Sequence, residues 1–230
     1  MIPLRDPSRR GAFALATYAL VAANVYMFVL ELRAPNVARF IDAFAVIPYN
    51  LTHGITLPPP SPHPVFLTLF TAMFLHASFL HIFFNMLFLL VFGPALEGSF
   101  GTIRFLIFYF ACGLVGGIAQ IVVAPFSQIP EIGASGAIAG VLGGYILRYP
   151  ANMIEAVLPI GCLPLFLRVP AVLLIGLWAA VQFIHGFGAV APGSGAERGG
   201  VAYFAHIGGF ICGIILTVVL HRRATEIRAR

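Results

Sequence analysis

The sequence predicts an all-α polytopic membrane protein, a bundle of six transmembrane helices. Of the 230 residues, 60% are hydrophobic and only 9% are charged, whereas a soluble domain carries about 25% charged residues. Apolar stretches of about 20 residues recur along the chain, which is the length that a helix needs to cross a hydrocarbon layer of about 30 Å. These stretches are continuous rather than alternating, which favours helices over a β-barrel.

We predict a single transmembrane domain over residues 1–230. Its spans are predicted at 12–32, 79–96, 103–123, 133–149, 169–187 and 201–221. Prolines and glycines punctuate the connections between these segments. The stretch 33–78 is predicted to be an external first loop with short interfacial helices near 65–75, and 186–200 is predicted to be an external cap loop.

The orientation follows from the arginines, since every basic residue in the chain is an arginine. With a cytoplasmic N-terminus and six spans, most of them fall on the cytoplasmic side: Arg5, Arg9, Arg10, Arg104, Arg148, Arg168, Arg222, Arg223, Arg228 and Arg230. The positive-inside rule therefore predicts that both termini are cytoplasmic. This topology explains the formal charge of +5. The expected partner is therefore the lipid bilayer and not a nucleic acid.

Four polar residues inside the predicted spans are candidates for chemistry, because polar groups are costly in a membrane. His81 and Asn85 share one face of the second span, Ser135 begins the fourth, and His206 lies early in the sixth. All three spans run in the same direction under the predicted topology. The four residues are therefore expected at a similar depth, in the outer half of the membrane.

This set of side chains is typical of acyl transfer. A serine hydroxyl becomes nucleophilic when an imidazole takes its proton, so Ser135 is the predicted nucleophile and His206 its base. His81, Asn85 and the backbone N–H of Ser135 are candidate donors to an oxyanion. The predicted spans that hold Ser135 and His206 contain no carboxylate to orient the imidazole, so a catalytic dyad is expected.

A dyad on two helices requires close helix packing, and small residues at four-residue spacing permit it. The glycines predicted to pack at the site are Gly133, Gly136, Gly140, Gly209 and Gly213.

Each candidate also has an ordinary structural interpretation. A serine among small residues usually packs, an intramembrane histidine is usually a satisfied structural residue or a proton relay, and His81 with Asn85 could clamp two helices. Taken together on three helices, the four residues favour catalysis. No metal site is predicted, because His76 and His81 are five residues apart and no acidic or cysteine partner completes a zinc site.

The motifs resemble those of the rhomboid family of intramembrane serine proteases, from about Phe66 through Leu220. Residues 133–136 (Gly-Ala-Ser-Gly) match the nucleophile motif of that family. Further matches lie in its histidine–asparagine element, its base element and its acidic turn: His76, His81, Asn85, Ala205, His206, Gly209, Gly213, Glu97 and Gly101.

The resemblance implies a six-helix rhomboid-like bundle with an external active site and with no metal or cofactor. It implies that the substrates are single-span membrane proteins, cut near the external end of their transmembrane segment. A bacterial inner membrane is the expected location.

Two other functions stay open. One is a catalytically inactive rhomboid-like protein that binds membrane clients, against which the retention of both Ser135 and His206 argues. The other is a transporter or proton channel, but the two halves of the chain show no repeat of the kind that transporters often have.

Overall fold

A computed structural model of the protein describes residues 1–8, 13–55, 58, 60–161, 163–189 and 201–228, with side chains through Leu220. Within these ranges the elements, in chain order, are β1 (Ile2–Arg5), α1 (Leu15–Arg33), α2 (Val37–Phe44), α3 (Pro48–Thr52), α4 (Thr68–Thr71), α5 (Phe79–Phe100), α6 (Thr102–Val123), α7 (Ser135–Arg148), β2 (Met153–Ile160), β3 (Leu163–Pro170), α8 (Ala171–Ala189) and α9 (Tyr203–Arg228).

Five of the described helices are long and apolar enough to cross a membrane. They are α1, α5, α6, α8 and the segment Tyr203–Leu220 of α9. They agree with the predicted spans to within a few residues at most ends, because each is a continuous apolar run that must satisfy its backbone internally. The prediction of a mostly helical, polytopic membrane protein is confirmed.

The predicted fourth span, 133–149, differs from the others. It forms α7, a helix of 14 residues, which is about 21 Å long at about 1.5 Å per residue and shorter than the roughly 20 residues that a span requires. Every residue from Gly136 to Tyr145 is buried, so α7 is enclosed by its neighbours. The predicted count of six spans is not confirmed.

The all-α prediction also omitted a three-stranded antiparallel sheet in the order β1-β2-β3. The chain leaves α7, forms the hairpin of β2 and β3, and passes directly into α8 at Ala171. The fifth span therefore begins after 169, the predicted start, because Val169 and Pro170 belong to β3. Ile154 and Ala156 of β2 are fully buried, so the sheet packs against the bundle through the base of its hairpin.

A buried carboxylate joins α1 to α5. The first turn of α1 has no capping side chain of its own, and Glu97 of α5 supplies one. The Glu97 carboxylate accepts hydrogen bonds of 2.8 Å from the backbone N–H groups of Ala16 and Thr17 and from the Thr17 hydroxyl. Helix N-termini favour negative charge. Glu97 therefore caps the N-terminus of α1 and fixes the position of α1 relative to α5.

The two predicted loops contain regular structure. Residues 33–78 hold α2, α3, α4 and two short 3-10 turns at Val65–Leu67 and Ala72–Phe74, in agreement with the short helices expected near 65–75. Of the predicted cap loop 186–200, the first four residues continue α8 through Ala189. The rest of that loop lies outside the described residues.

Candidate active site

Helices α7 and α9 are in backbone contact, and this contact positions the site. A methyl group on Gly209 would overlap the carbonyl oxygen of Gly136, and one on Gly213 would overlap that of Gly140. The side of Gly140 that would carry a methyl group is filled by Cys112 of α6. Of the predicted packing glycines, Gly209 and Gly213 therefore lie where α7 and α9 approach too closely for any side chain, whereas a methyl group on Gly136 would only reach ordinary contact with Ala205, at 3.5 Å.

The close approach brings a hydroxyl and an imidazole together. Ser135 is the first residue of α7, and His206 lies in the first turn of α9. The His206 Nε2 atom lies 2.8 Å from the Ser135 Oγ atom, which is hydrogen-bond distance. The two residues are 71 positions apart in the sequence, so only the helix packing makes them neighbours.

The other ring nitrogen of His206 contacts a residue of α8. His206 Nδ1 lies 2.8 Å from the Oε1 atom of Gln182. An amide oxygen only accepts hydrogen bonds, so Nδ1 carries the proton and Nε2 presents its lone pair to the serine hydroxyl. One turn earlier on α8, the Trp178 ring lies 5.9 Å from the His206 ring, so both α8 residues orient the imidazole.

The loop before the nucleophile passes His81 at the start of α5. Gly133 has a φ of +122°, which is costly for any residue with a side chain. A methyl group on Gly133 would lie 2.8 Å from the Nε2 atom of His81 and 3.6 Å from Oγ of Ser135. The Ala77 backbone N–H donates to His81 Nδ1, so the Nε2–H of His81 is a donor beside the nucleophile.

Asn85 lies one turn further along α5 and is 7% exposed. Among the residues that the structure describes, its amide nitrogen has no hydrogen-bond partner. A buried donor without a partner is costly, which makes the Asn85 amide available to a group that enters the site.

His76 packs behind His81 and is fully buried. The two rings meet edge to face with their centroids 5.0 Å apart, and the His76 backbone N–H donates to Glu31 of α1. Burial, and secondly the neighbouring His81, lower the pKa of His76 to about 3. His76 is therefore a neutral packing group.

A second polar link joins the nucleophile loop to α9. Gln120, near the end of α6, accepts a hydrogen bond from the Phe204 backbone N–H, and its side chain also hydrogen-bonds the Glu131 carboxyl group. Burial raises the pKa of Glu131 to about 8, against the lowering effect of Gln120. Glu131 also exchanges two backbone hydrogen bonds with Val46, which holds the loop in place.

A cavity of about 40 Å³ opens beside the nucleophile. It is lined by Gly133, Ser135 and Gly136 from the nucleophile region, by Glu131, and by residues such as Ala205 of α9. This volume is large enough for water.

The structure thus brings Ser135, His206 and His81 to one place, with Asn85 one turn away on the His81 helix. Sequence reasoning missed Gln182, because a carboxylate is the usual partner that orients such a histidine. The signal was present, since an amide inside an apolar span is a functional candidate by itself. Which side chain of α8 faces His206, however, depends on the packing of α8 against α9, and the sequence does not show that packing.

Similarity to known proteins agrees with this arrangement. A family model for the Rhomboid domain matches residues 63–223, well over half of the chain and every residue of the site. The chain belongs to the rhomboid family. Rhomboid proteins are generally intramembrane proteases, and the membrane helices of this chain fit that class.

Three curated relatives illustrate the range of this rhomboid similarity. The putative rhomboid protease YdcA of Bacillus subtilis is 34% identical over 134 residues, which cover 58% of this chain and 62% of the relative. The rhomboid protease GluP of the same bacterium is 44% identical over 78 residues, 34% of this chain and 15% of GluP. Rhomboid protein 1, mitochondrial, of Saccharomyces cerevisiae is 26% identical over 93% of this chain and 55% of the relative. This rhomboid chain therefore spans less than two thirds of the length of these relatives.

Proposed function

We propose that this protein is an intramembrane serine endopeptidase in which Ser135 and His206 form a catalytic dyad. The observation that carries the proposal is the 2.8 Å contact between Ser135 Oγ and His206 Nε2. A serine and a histidine on different helices reach this distance only through the backbone contact of α7 with α9. The contact leaves no room for larger residues, so it holds the two helices at the distance that a nucleophile and its base require.

In the first step, His206 Nε2 takes the Ser135 proton while Oγ attacks the scissile carbonyl carbon. The imidazole becomes an imidazolium, whose Nδ1–H still donates to Gln182. The same imidazolium then gives its Nε2 proton to the departing amine, so the C–N bond breaks and an acyl-enzyme is left. Water, deprotonated by His206, hydrolyses that ester.

The tetrahedral intermediate carries a negative charge that needs donors. The backbone N–H of Ser135 lies at the N-terminus of α7, where unpaired N–H groups and the helix dipole favour an anion. The Nε2–H of His81 and the amide of Asn85 are the side-chain donors in this proposal. Each would act mainly on charge that develops in the transition state.

The proposed substrates are single-span membrane proteins, cut near the end of their transmembrane segment on the side where α7 begins. A helical substrate must unwind before its carbonyl can be attacked, and small or helix-breaking residues lower that cost. The arginine distribution predicts that this side is external. No metal or cofactor takes part in the proposed reaction.

The direct test is cleavage of a single-span substrate in liposomes by the wild type and by Ser135→Ala. We expect no cleavage by the variant, while Ser127→Ala, which changes a half-buried serine of the loop between α6 and α7, should cleave normally. A fluorophosphonate should label the wild type and not Ser135→Ala. An unlabelled wild type that binds the substrate without cleaving it would instead indicate a rhomboid-like client-binding protein.

A second experiment addresses the oxyanion donors. Asn85→Ala should lower kcat by about 100-fold, the usual loss when one such donor is removed, and should leave KM nearly unchanged because the ground state does not use the amide. Steady-state kinetics in liposomes measure both constants. An unchanged kcat would remove Asn85 from the oxyanion site.

A further inference from the structure

The hairpin of β2 and β3 has two different halves. At its base, β1 pairs with β2 from Glu155 to Val157, and Arg168 of β3 forms an ion pair with Glu155 at 2.9 Å. Beyond Val157, β2 pairs with β3 alone up to the pair Ile160–Leu163. The distal half, residues 157–161 and 163–167, therefore extends past the rest of the sheet as a two-stranded ribbon, with Val157 as its last residue paired to β1.

The distal half is apolar on both faces and exposed. From Val157 to Leu167 the sequence contains no charged residue and, apart from the Cys162 thiol, no side chain that can hydrogen-bond. Leu163 is 76% exposed and Phe166 is 70% exposed, and Leu165, the neighbour of Phe166 on the opposite face, is also exposed. An isolated two-stranded ribbon is at best marginally stable in water, and exposed apolar surface of this kind usually marks a contact with another molecule or with a membrane.

The surroundings indicate what covers this ribbon. β3 runs without a break into α8, an apolar helix long enough to cross a membrane, whose first turn exposes Val172 and Leu173. The apolar surface of the hairpin is therefore continuous with the lipid-facing surface of a membrane-spanning helix. A protein partner would cover one face of a ribbon, whereas both faces are apolar here, which fits a fluid apolar medium.

The backbone sets the depth. An unpaired strand edge in hydrocarbon is not tolerated, because its N–H and C=O groups find no partner there. Pro159 lies opposite Pro164 in the hairpin, and neither has an N–H to satisfy. Fewer donors lower the cost of partial burial, while the remaining edge groups require water or lipid headgroups. The boundary between headgroups and acyl chains supplies both conditions.

We propose that residues 157–167 insert into the interfacial layer of the phospholipid bilayer, on the side of the membrane where α7 ends. Ser135 begins α7 and Arg148 ends it, so this insertion lies on the side opposite to the catalytic pair. The hairpin then fixes the depth at which α8 enters the membrane. Its role does not depend on whether the protein cleaves peptide bonds.

Tryptophan fluorescence tests the insertion. Trp178, the sole tryptophan, is first removed by Trp178→Phe. In this background, Phe166→Trp places the reporter on the hairpin without disturbing the packing, since Phe166 is exposed. The full chain is reconstituted in phosphatidylcholine liposomes that carry bromine at a shallow or a deep position of the acyl chain. Leu173→Trp in the same background is the matched reporter within α8.

We expect the reporter at 166 to be quenched more strongly by shallow than by deep bromine, and only weakly by iodide in the water. The reporter at 173 should be quenched more strongly by the deep than by the shallow bromine. Adding Leu163→Asp to the Phe166→Trp chain should lower the quenching by brominated lipid and raise the quenching by iodide, because a carboxylate favours water over the interface.

Two results would overturn the proposal. Strong quenching by iodide without quenching by lipid would mean that the hairpin projects into water. Protection from both quenchers would mean that protein covers it, and protection that falls when the protein is diluted in lipid would identify a second copy of the chain as the cover.

Discussion

At the candidate active site, helix α9 contacts α7 and α8 in different ways. Against α7 it packs backbone to backbone, so that a methyl group on Gly209 or Gly213 would overlap a carbonyl oxygen. Against α8 it packs through side chains: a methyl group on Gly186 of α8 would meet the side chain of Ile207 at 2.9 Å rather than backbone, and one on Gly176 or Gly188 would meet nothing within 4 Å. Every residue of α7 from 136 to 145 is buried, whereas α8 buries six of its 19 residues.

The difference separates two requirements of the site. The distance between Ser135 and His206 is set by α7 and α9, whose packed backbones cannot shift without a clash. The orientation of the His206 ring is set by Gln182 and Trp178 of α8, which has fewer packing restraints. A displacement of α8 would keep Ser135 near His206 and remove the partner of Nδ1.

The largest effect is expected from Gly209→Ala. The added methyl group overlaps the Gly136 carbonyl oxygen and pushes α9 away from α7, and a misplacement of about 1 Å can cost about 100-fold in rate. Cleavage per folded molecule should fall at least that far. Gly176→Ala, the matched control on α8, should cleave and melt like the wild type. Equal cleavage by the two variants would contradict the rigid contact of α7 with α9.

A smaller effect is expected from Gln182→Leu, which keeps the volume of the side chain and removes the acceptor for Nδ1. A hydrogen bond to a charged group contributes about 1.5–3 kcal/mol, so the loss of this bond to the imidazolium should lower kcat by about 10- to 100-fold. KM should stay unchanged, because the bond strengthens only when the ring is charged.

Gln182→Glu retains an acceptor oxygen and should recover part of kcat, which a purely structural role for Gln182 would not explain. A parallel fall in kcat for the leucine and the glutamate variants, with equal losses of thermal stability, would mean that Gln182 only packs α8 against α9.

The smallest effect concerns pH and the loop before α7, which Gln120 links to α9. Burial raises the pKa of Glu131 from 4.5 to about 8, so between these values the folded state holds a proton that the unfolded state has released. Stability therefore falls as pH rises through this window. Melting temperatures across the window should decline less for Glu131→Gln than for the wild type, and identical pH profiles would show that Glu131 is ionised in the folded state.

The elements that sequence reasoning located well are those with strong local signals. The span α5 begins at Phe79, the predicted residue, because Ser78 caps it and a long apolar run follows. Residues 153–170 gave an ambiguous signal, since a short apolar run with prolines does not distinguish a buried helix from a strand by periodicity. The hairpin of β2 and β3 was missed for that reason.

The sequence by itself determined the membrane class, the apolar helices and the polar residues that are too costly in a bilayer to be incidental, because each of these depends on the composition of one local segment. It also supplied the glycines that permit contact. Only the tertiary structure decided that α7 is a buried helix of 14 residues and that His206 lies between Ser135 and Gln182. It also decided that the hairpin of β2 and β3 exposes its apolar side chains. These features depend on distances between helices far apart in the chain, and such distances follow from the packing of the whole bundle.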